Sequence, residues 1–268
     1  MFGAALVALG LVAWTFPAWA AEEGKPAELH TIRFFVAATT MLDGVRYPIL
    51  QEDGSFTDSE PLRFATGGRP ELYEYRGSNP LVFYRKVGGG EKAEPETVAR
   101  YRFQPEKKGE RLLMFSPRND DALPYGVVSV LLSRKRFDEG DLYVLNASDS
   151  RIAFRTADGG SRGIIELGDA ALLPASSLPG ALLQVDGGGD TSGDQRVQVV
   201  GVRFAARDGA NEWQVQNLDI LSAREGELRI LLFSPPPVEG SARLRSALFT
   251  IDLTELRPEE NNADGREI

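Results

Sequence analysis

The chain has 268 residues, of which 42% are hydrophobic and 26% are charged, which is enough for one large or two small globular domains. Its net charge of −9 argues against binding to a nucleic-acid duplex, because such binding needs a basic surface that displaces counterions from phosphates. The sequence contains no cysteine, which excludes disulfides, thiolate metal sites and thiol nucleophiles.

The first twenty residues carry no charged side chain. Residues 3–16 form an apolar run, and Ala18-Trp19-Ala20 places small residues at the −3 and −1 positions of a cleavage site. We therefore expect residues 1–20 to be a signal peptide, followed by a mature chain without a membrane span in the periplasm or medium of a bacterium. The basic residues that usually precede such a run are missing. The alternative to a signal peptide is a retained hydrophobic anchor.

From His30 onward, short runs rich in β-branched and aromatic residues alternate with turn formers. His30, Ile32, Phe34 and Val36 share one parity, as the residues on one face of a strand do. Turn signals separate the runs at Asp43-Gly44, Asp53-Gly54, Gly67-Gly68, Lys108-Gly109 and Asp158-Gly159. This pattern predicts an all-β protein with an antiparallel, sandwich-type architecture.

An internal repeat divides the strands into two groups. The segment Arg111-Leu112-Leu113-Met114-Phe115-Ser116-Pro117 is echoed by Arg229-Ile230-Leu231-Leu232-Phe233-Ser234-Pro235. We predict a first β-unit with added hairpins over residues 21–178, a second β-unit over 179–257 and a disordered acidic tail over 258–268. The sequence leaves open whether the two units form one continuous sandwich or two domains.

Part of the chain resembles a group of known proteins. The segment from Tyr73 to Arg85, together with the Leu-Leu-Met-Phe-Ser-Pro strand that ends at Pro117, is similar to uncharacterised exported β-proteins of environmental bacteria. The resemblance extends over about residues 30–255. It implies a β-sheet fold and carries no activity, cofactor or site residue.

Few residues offer catalytic chemistry. His30 is the only histidine, so a metal site with two histidines from one chain is impossible, and a Ser-His-Asp triad would need His30 as its base. Gly159-Gly160-Ser161-Arg162-Gly163 fits the G-x-S-x-G string of serine hydrolases, but it lies between two strand-like runs and is predicted to be a hairpin turn. We expect a protein that is not an enzyme.

Three carboxylates are the main candidate metal ligands, and Asn119-Asp120-Asp121 and Asp138-Glu139-Gly140-Asp141 are similar acidic turns. Asp186, Asp190 and Asp194 recur every four residues in a glycine-rich segment, and oxygen-rich loops of this kind can bind Ca²⁺. The spacing does not match an EF-hand loop, so a solvated linker is the simpler interpretation. No other cofactor is expected.

The sequence therefore favours an exported protein that binds a protein partner or takes part in envelope assembly, using an unpaired sheet edge. The alternative is a carbohydrate-binding or adhesive module, for which Tyr73 and Tyr75 on one strand face are the candidate stacking surface. A hydrolase based on two facing carboxylates is a third possibility.

Overall fold

Strands make up nearly all of the regular structure. The computed structural model describes residues 28–88, 93–118, 123–178, 180–185, 195–207, 212–216, 221–224, 226–236, 241 and 243–257. In the N-terminal half the strands are β1 (His30–Ala38), β2 (Pro48–Leu50), β3 (Phe56–Asp58), β4 (Leu72–Gly77), β5 (Leu81–Val87), β6 (Glu94–Tyr101), β7 (Glu110–Pro117) and β8 (Tyr125–Leu132).

The C-terminal half continues in the same way. Its strands are β9 (Leu142–Asn146), β10 (Ile152–Thr156), β11 (Arg162–Ile165), β12 (Ala170–Leu173), β13 (Gly180–Val185), β14 (Gln195–Val200), β15 (Val202–Arg207), β16 (Trp213–Gln216), β17 (Leu221–Arg224), β18 (Glu227–Ser234) and β19 (Arg245–Asp252). Two single 3₁₀ turns, Ala175–Ser177 and Leu253–Glu255, complete the described elements. Within the described ranges, no helix is long and apolar enough to cross a membrane.

Two four-stranded sheets form the centre of the molecule. The first has the order β4-β1-β7-β8 and the second the order β12-β9-β18-β19. In each sheet the two inner strands are parallel, β1 with β7 and β9 with β18, and the outer pairs are antiparallel. The predicted all-β fold is confirmed, and the two central sheets are mixed rather than purely antiparallel.

The inner strands are buried on both faces, which explains their continuous apolar sequences. One face of the first sheet, with Phe34 and Phe115, packs against the β5–β6 hairpin and nearby loops. Its other face, with Phe35 and Met114, packs against the second sheet through residues such as Phe249.

A further layer covers the far side of the second sheet. Phe233 and Leu142 of that sheet pack against Phe204 and Ile152 of a third four-stranded sheet, ordered β11-β10-β15-β16. The layers therefore stack in the order β5–β6 hairpin, first sheet, second sheet, third sheet. We call the surface of the third sheet that faces away from this stack the outer face.

The two central sheets match in strand order and direction. The echoed segments occupy equivalent strands, since Arg111 pairs with Phe34 of β1 and Arg229 pairs with Leu142 of β9. This agreement supports the internal repeat, which stays a prediction. The predicted boundary after residue 178 divides the second sheet. In that sheet β9 and β12 precede the boundary in sequence, whereas β18 and β19 follow it.

Candidate functional site

Those residues singled out for chemistry in the sequence that the structure describes do not come together in one site. Asp186, Asp190 and Asp194 lie outside the described residues, so their calcium site stays a prediction. Among the described residues, no group of three or more histidine or carboxylate side chains is placed to hold a metal ion. His30 begins β1 and packs its ring edge-on against Phe103, with ring centroids 5.7 Å apart.

The G-x-S-x-G string occupies a hairpin turn, as predicted. It connects β10 to β11, and the backbone N–H of Ser161 donates to Oγ1 of Thr156 at 2.9 Å. The Ser161 hydroxyl is 3.5 Å from the carbonyl oxygen of Ser177. This turn lies in the third sheet and His30 lies in the first, so the serine and the histidine are not brought together.

Tyr73 and Tyr75 share a face of β4, as the parity predicted, but that face points into the core. Tyr75 is buried and donates from its hydroxyl to the carbonyl oxygen of Ser78 at 2.8 Å, and burial raises its pKa. Tyr73 stacks on Phe34 with ring centroids 5.9 Å apart. The two rings therefore do not form an exposed platform for sugars.

The outer face of the third sheet brings exposed arginines and exposed aliphatic side chains together. Its strand register places residues in three rows that cross the sheet. The first row is Arg162, Arg155 and Arg203; the second is Ile164, Ala153, Ala205 and Val215; the third is Glu166, Arg151, Arg207 and Trp213. Neighbouring strands lie about 4.8 Å apart, and successive rows lie about 7 Å apart.

The first row, which we call the arginine row, places three positive charges side by side. Arg155 is the direct cross-strand partner of both Arg162 and Arg203. In the described part of the chain, none of these three side chains forms an ion pair or a side-chain hydrogen bond. Like charges directly opposite each other on a sheet are destabilising, so this row lowers the stability of the fold.

The nearest acidic turn does not neutralise the arginine row. Asp158 follows β10, but its Oδ1 accepts hydrogen bonds from the Thr156 hydroxyl at 2.6 Å and from the backbone N–H of Gly160 at 2.9 Å. These two hydrogen bonds lower the pKa of Asp158, and the bond from Thr156 has the larger effect. The Arg155 guanidinium instead lies over Gly159, where an added Cβ would meet its Nη2 at 3.0 Å.

The second row is aliphatic and exposed at both ends. Ile164 is 57% exposed and Val215 is 69% exposed, with the small side chains of Ala153 and Ala205 between them. The resulting aliphatic strip has no aromatic ring. Together with the row of cations beside it, this strip has the mixed apolar and cationic character of a protein-binding surface.

The third row contains the only carboxylate of the outer face among the described residues. Nε of Arg151 lies 2.7 Å from Oε2 of Glu166, and the Arg207 guanidinium lies 5.9 Å from the centroid of the Trp213 ring. Trp213 is 43% exposed. Trp and Arg are the residues most often found at the energetic centre of protein interfaces. The third row therefore places Arg207 and Trp213, a pair of residue types common in protein interfaces, on the same face as the aliphatic strip and the arginine row.

The sequence contains a repeated pattern that indicates this face, although the face was not predicted from it. β10 and β15 carry the same pattern, Arg151-Ile152-Ala153-Phe154-Arg155 and Arg203-Phe204-Ala205-Ala206-Arg207. Alternation predicts that the arginines and the central alanine share the solvent face of each strand. Only the antiparallel register, which sets Arg155 opposite Arg203, shows that the two patterns form one surface.

Comparisons with known proteins add no functional assignment. No protein-family description matches this chain, and a search of curated proteins finds no similar sequence.

Proposed function

We propose that this chain is a non-enzymatic, exported binding protein that recognises an acidic protein partner through the outer face of the third sheet. The single observation that carries the proposal is the arginine row: three exposed arginines are placed side by side at a cost in stability, with no carboxylate partner in the described structure. A partner that brings carboxylates to the row removes that repulsion. Export rests on the apolar segment and cleavage-type tripeptide that precede Ala21.

A protein fits this surface better than a carbohydrate does. Sugar rings stack on exposed aromatic faces, whereas the strip beside the arginine row is aliphatic. The one tryptophan of this face, Trp213, already has the Arg207 guanidinium over its ring. Apolar side chains of a protein flanked by Asp or Glu would match both the strip and the row. A carbohydrate-binding module is therefore the second candidate.

The proposal is tested by photo-crosslinking in the native cell envelope. A benzophenone amino acid is introduced at Val215 on the outer face or, as the control, at Met41, which has almost the same exposure (69% and 71%) but belongs to a loop near the first sheet. We expect a discrete protein adduct from position 215 only, with the crosslinked peptide of the partner rich in Asp and Glu. The yield should fall when Arg155→Glu and Arg203→Glu are added.

Equal crosslinking from both positions would contradict the proposal. An adduct whose yield stays the same when Arg155→Glu and Arg203→Glu are added would contradict it as well. The absence of any protein adduct, combined with retention of the protein on an immobilised acidic polysaccharide, would favour the carbohydrate alternative.

A further inference from the structure

A cavity of about 360 Å³ lies on another part of the molecule, between the C-terminal end of β6 and strand β8. Its volume is in the lower part of the range of small-molecule sites, roughly 300–1,000 Å³. The lining combines four cationic side chains with three polar ones and one leucine: Arg102, Lys107, Arg111, Arg136, Tyr101, Gln104, Ser129 and Leu131. No carboxylate of the described residues lines it.

Arg111 forms the inner wall and is 4% exposed. Its guanidinium donates to the carbonyl oxygens of Gly109 at 3.1 Å and Gln104 at 3.0 Å, and also to that of Lys107. The loop that precedes β7 thus folds around the guanidinium of Arg111. The carbonyl oxygens accept hydrogen bonds from three of the N–H groups of Arg111 but leave a net positive charge inside the protein.

The carboxylate next to Arg111 in sequence does not balance this charge. Successive residues of a strand point to opposite faces of the sheet, so Glu110 lies on the other side of the first sheet. There, Oε1 of Glu110 accepts a hydrogen bond from Nη1 of Arg33 at 2.5 Å and one from the backbone N–H of Arg257 at 3.3 Å. Glu110 therefore pairs with Arg33 and does not neutralise Arg111.

The equivalent arginine of the second sheet has a different environment. Arg229 is also buried and donates to the carbonyl oxygen of Gly140, and desolvation lowers its pKa to about 10. The negative charges of Asp141 and Glu227 act in the opposite direction and help to keep it protonated. Arg229 thus has acids beside it, whereas Arg111 faces a cavity lined by further cations.

The remaining cations are placed around the opening. Nη2 of Arg136 donates to the hydroxyl of Tyr143 at 3.1 Å, and its guanidinium stacks on the rings of Tyr143 and Phe137 at 5.3 and 5.1 Å from their centroids. Arg136 is therefore held in position beside the cavity. Arg102 and Lys107 are exposed and complete the set.

We propose that this cavity binds a small oxyanion that carries more than one negative charge, either a phosphate compound or a polycarboxylate. Four cations around one space repel each other, and a multiply charged oxyanion neutralises them while accepting hydrogen bonds from arginine forks and a lysine. The hydroxyl of Ser129 supplies a further donor. This site is separate from the outer face and does not depend on the proposed function.

The test uses the purified full chain with pyrophosphate and citrate as probes. Calorimetric titration and thermal unfolding are measured against NaCl at matched ionic strength. We expect at least one probe to raise the unfolding temperature above the NaCl control. A double variant with Arg102→Gln and Lys107→Gln should bind it at least about tenfold more weakly, because each charged hydrogen bond contributes substantially to affinity. The preferred probe identifies the ligand class: pyrophosphate indicates phosphate compounds, and citrate indicates polycarboxylates.

Two controls separate this site from general attraction of anions. Lys135→Gln removes one charge beside Arg136 without touching the cavity lining, and Arg155→Glu alters the arginine row. Both variants should keep the affinity within about twofold. The proposal is overturned if neither probe exceeds the effect of NaCl, if Lys135→Gln loses as much affinity as the double variant, or if Arg155→Glu abolishes binding.

Discussion

Arg33, Arg111 and Arg155 lie in three different electrostatic settings. Arg33 is paired with the buried Glu110, and Arg111 is surrounded by carbonyl oxygens. Arg155 has neither kind of partner and lies between two further arginines. Glu110 neutralises Arg33 within the fold, whereas among the described residues Arg111 has hydrogen-bond acceptors but no counter-charge and Arg155 has neither, so the charges of Arg111 and Arg155 are available to another molecule.

At the scale of the residue, we expect Arg155→Thr to stabilise the protein while abolishing partner capture. Threonine favours strands, and its introduction removes two like-charge contacts, so the free energy of unfolding should rise by about 0.5 kcal/mol. Arg151→Thr is the matched control on the same strand, and it should not stabilise because Arg151 is paired with Glu166. Urea unfolding at low salt measures both changes, and the gain for Arg155→Thr should shrink in 1 M NaCl.

A loss of stability in Arg155→Thr would show that the guanidinium is needed by the hairpin over which it lies. The arginine row would then have a structural explanation, and its use as evidence for a binding surface would fail.

At the scale of the element, Gly163 of the β10–β11 hairpin has a packing role. Gly163 is the cross-strand partner of Phe154, and a Cβ at this position would lie 2.7 Å from Cε1 of the phenylalanine ring. The ring therefore covers the glycine, and the last residue of the G-x-S-x-G string is explained by this contact. Nothing in the hairpin requires the serine as a nucleophile.

This explanation predicts opposite outcomes for two substitutions in the same hairpin. Gly163→Ala should lower the free energy of unfolding by about 1–2 kcal/mol, because the Phe154 ring has to move out of its position. Ser161→Ala should change it by less than about 0.5 kcal/mol, because its hydroxyl has only a long contact with Ser177. Chemical denaturation of both variants checks the difference, and the reverse order would contradict the packing role of Gly163.

The elements also show what sequence patterns could and could not predict. Parity and turn residues predicted β1, β7 and the β10–β11 hairpin, because these features are local. The parallel pairing of β1 with β7 was not predicted, since it joins strands far apart in sequence and leaves no local signal. The change of sheet at Gly201 was not predicted either, since β14 ends at Val200 and β15 begins at Val202 in a different sheet.

The candidate sites were hidden for the same reason. Each of the three strands contributes one arginine to the row, and only the register across β11, β10 and β15 brings the three together. The cavity likewise combines side chains from β6, the following loop, β7 and β8. Charge clusters assembled from several strands cannot be read from one strand at a time.

At the scale of the whole molecule, the packing between the two central sheets determines whether the protein unfolds as one unit. Phe35 and Met114 of the first sheet and Phe249 and Ile230 of the second belong to one core cluster. A direct bridge between Gly68 and Phe249 and an ion pair between Arg69 and Asp252 also connect the two halves. Such continuous packing favours cooperative unfolding.

We therefore expect Phe249→Ala to weaken both sheets, although the substitution lies in only one of them. Removing a buried phenylalanine should cost about 3–5 kcal/mol, and Phe56→Ala, at an exposed phenylalanine of β3, is the control with little effect. Amide hydrogen exchange resolved by peptide should show protection falling by the same free energy in β1 and β7 as in β18 and β19. If protection fell only in β9, β18 and β19, the halves would be two domains that unfold separately. Binding of a partner at the outer face would then have no effect on the affinity of the cavity for an oxyanion.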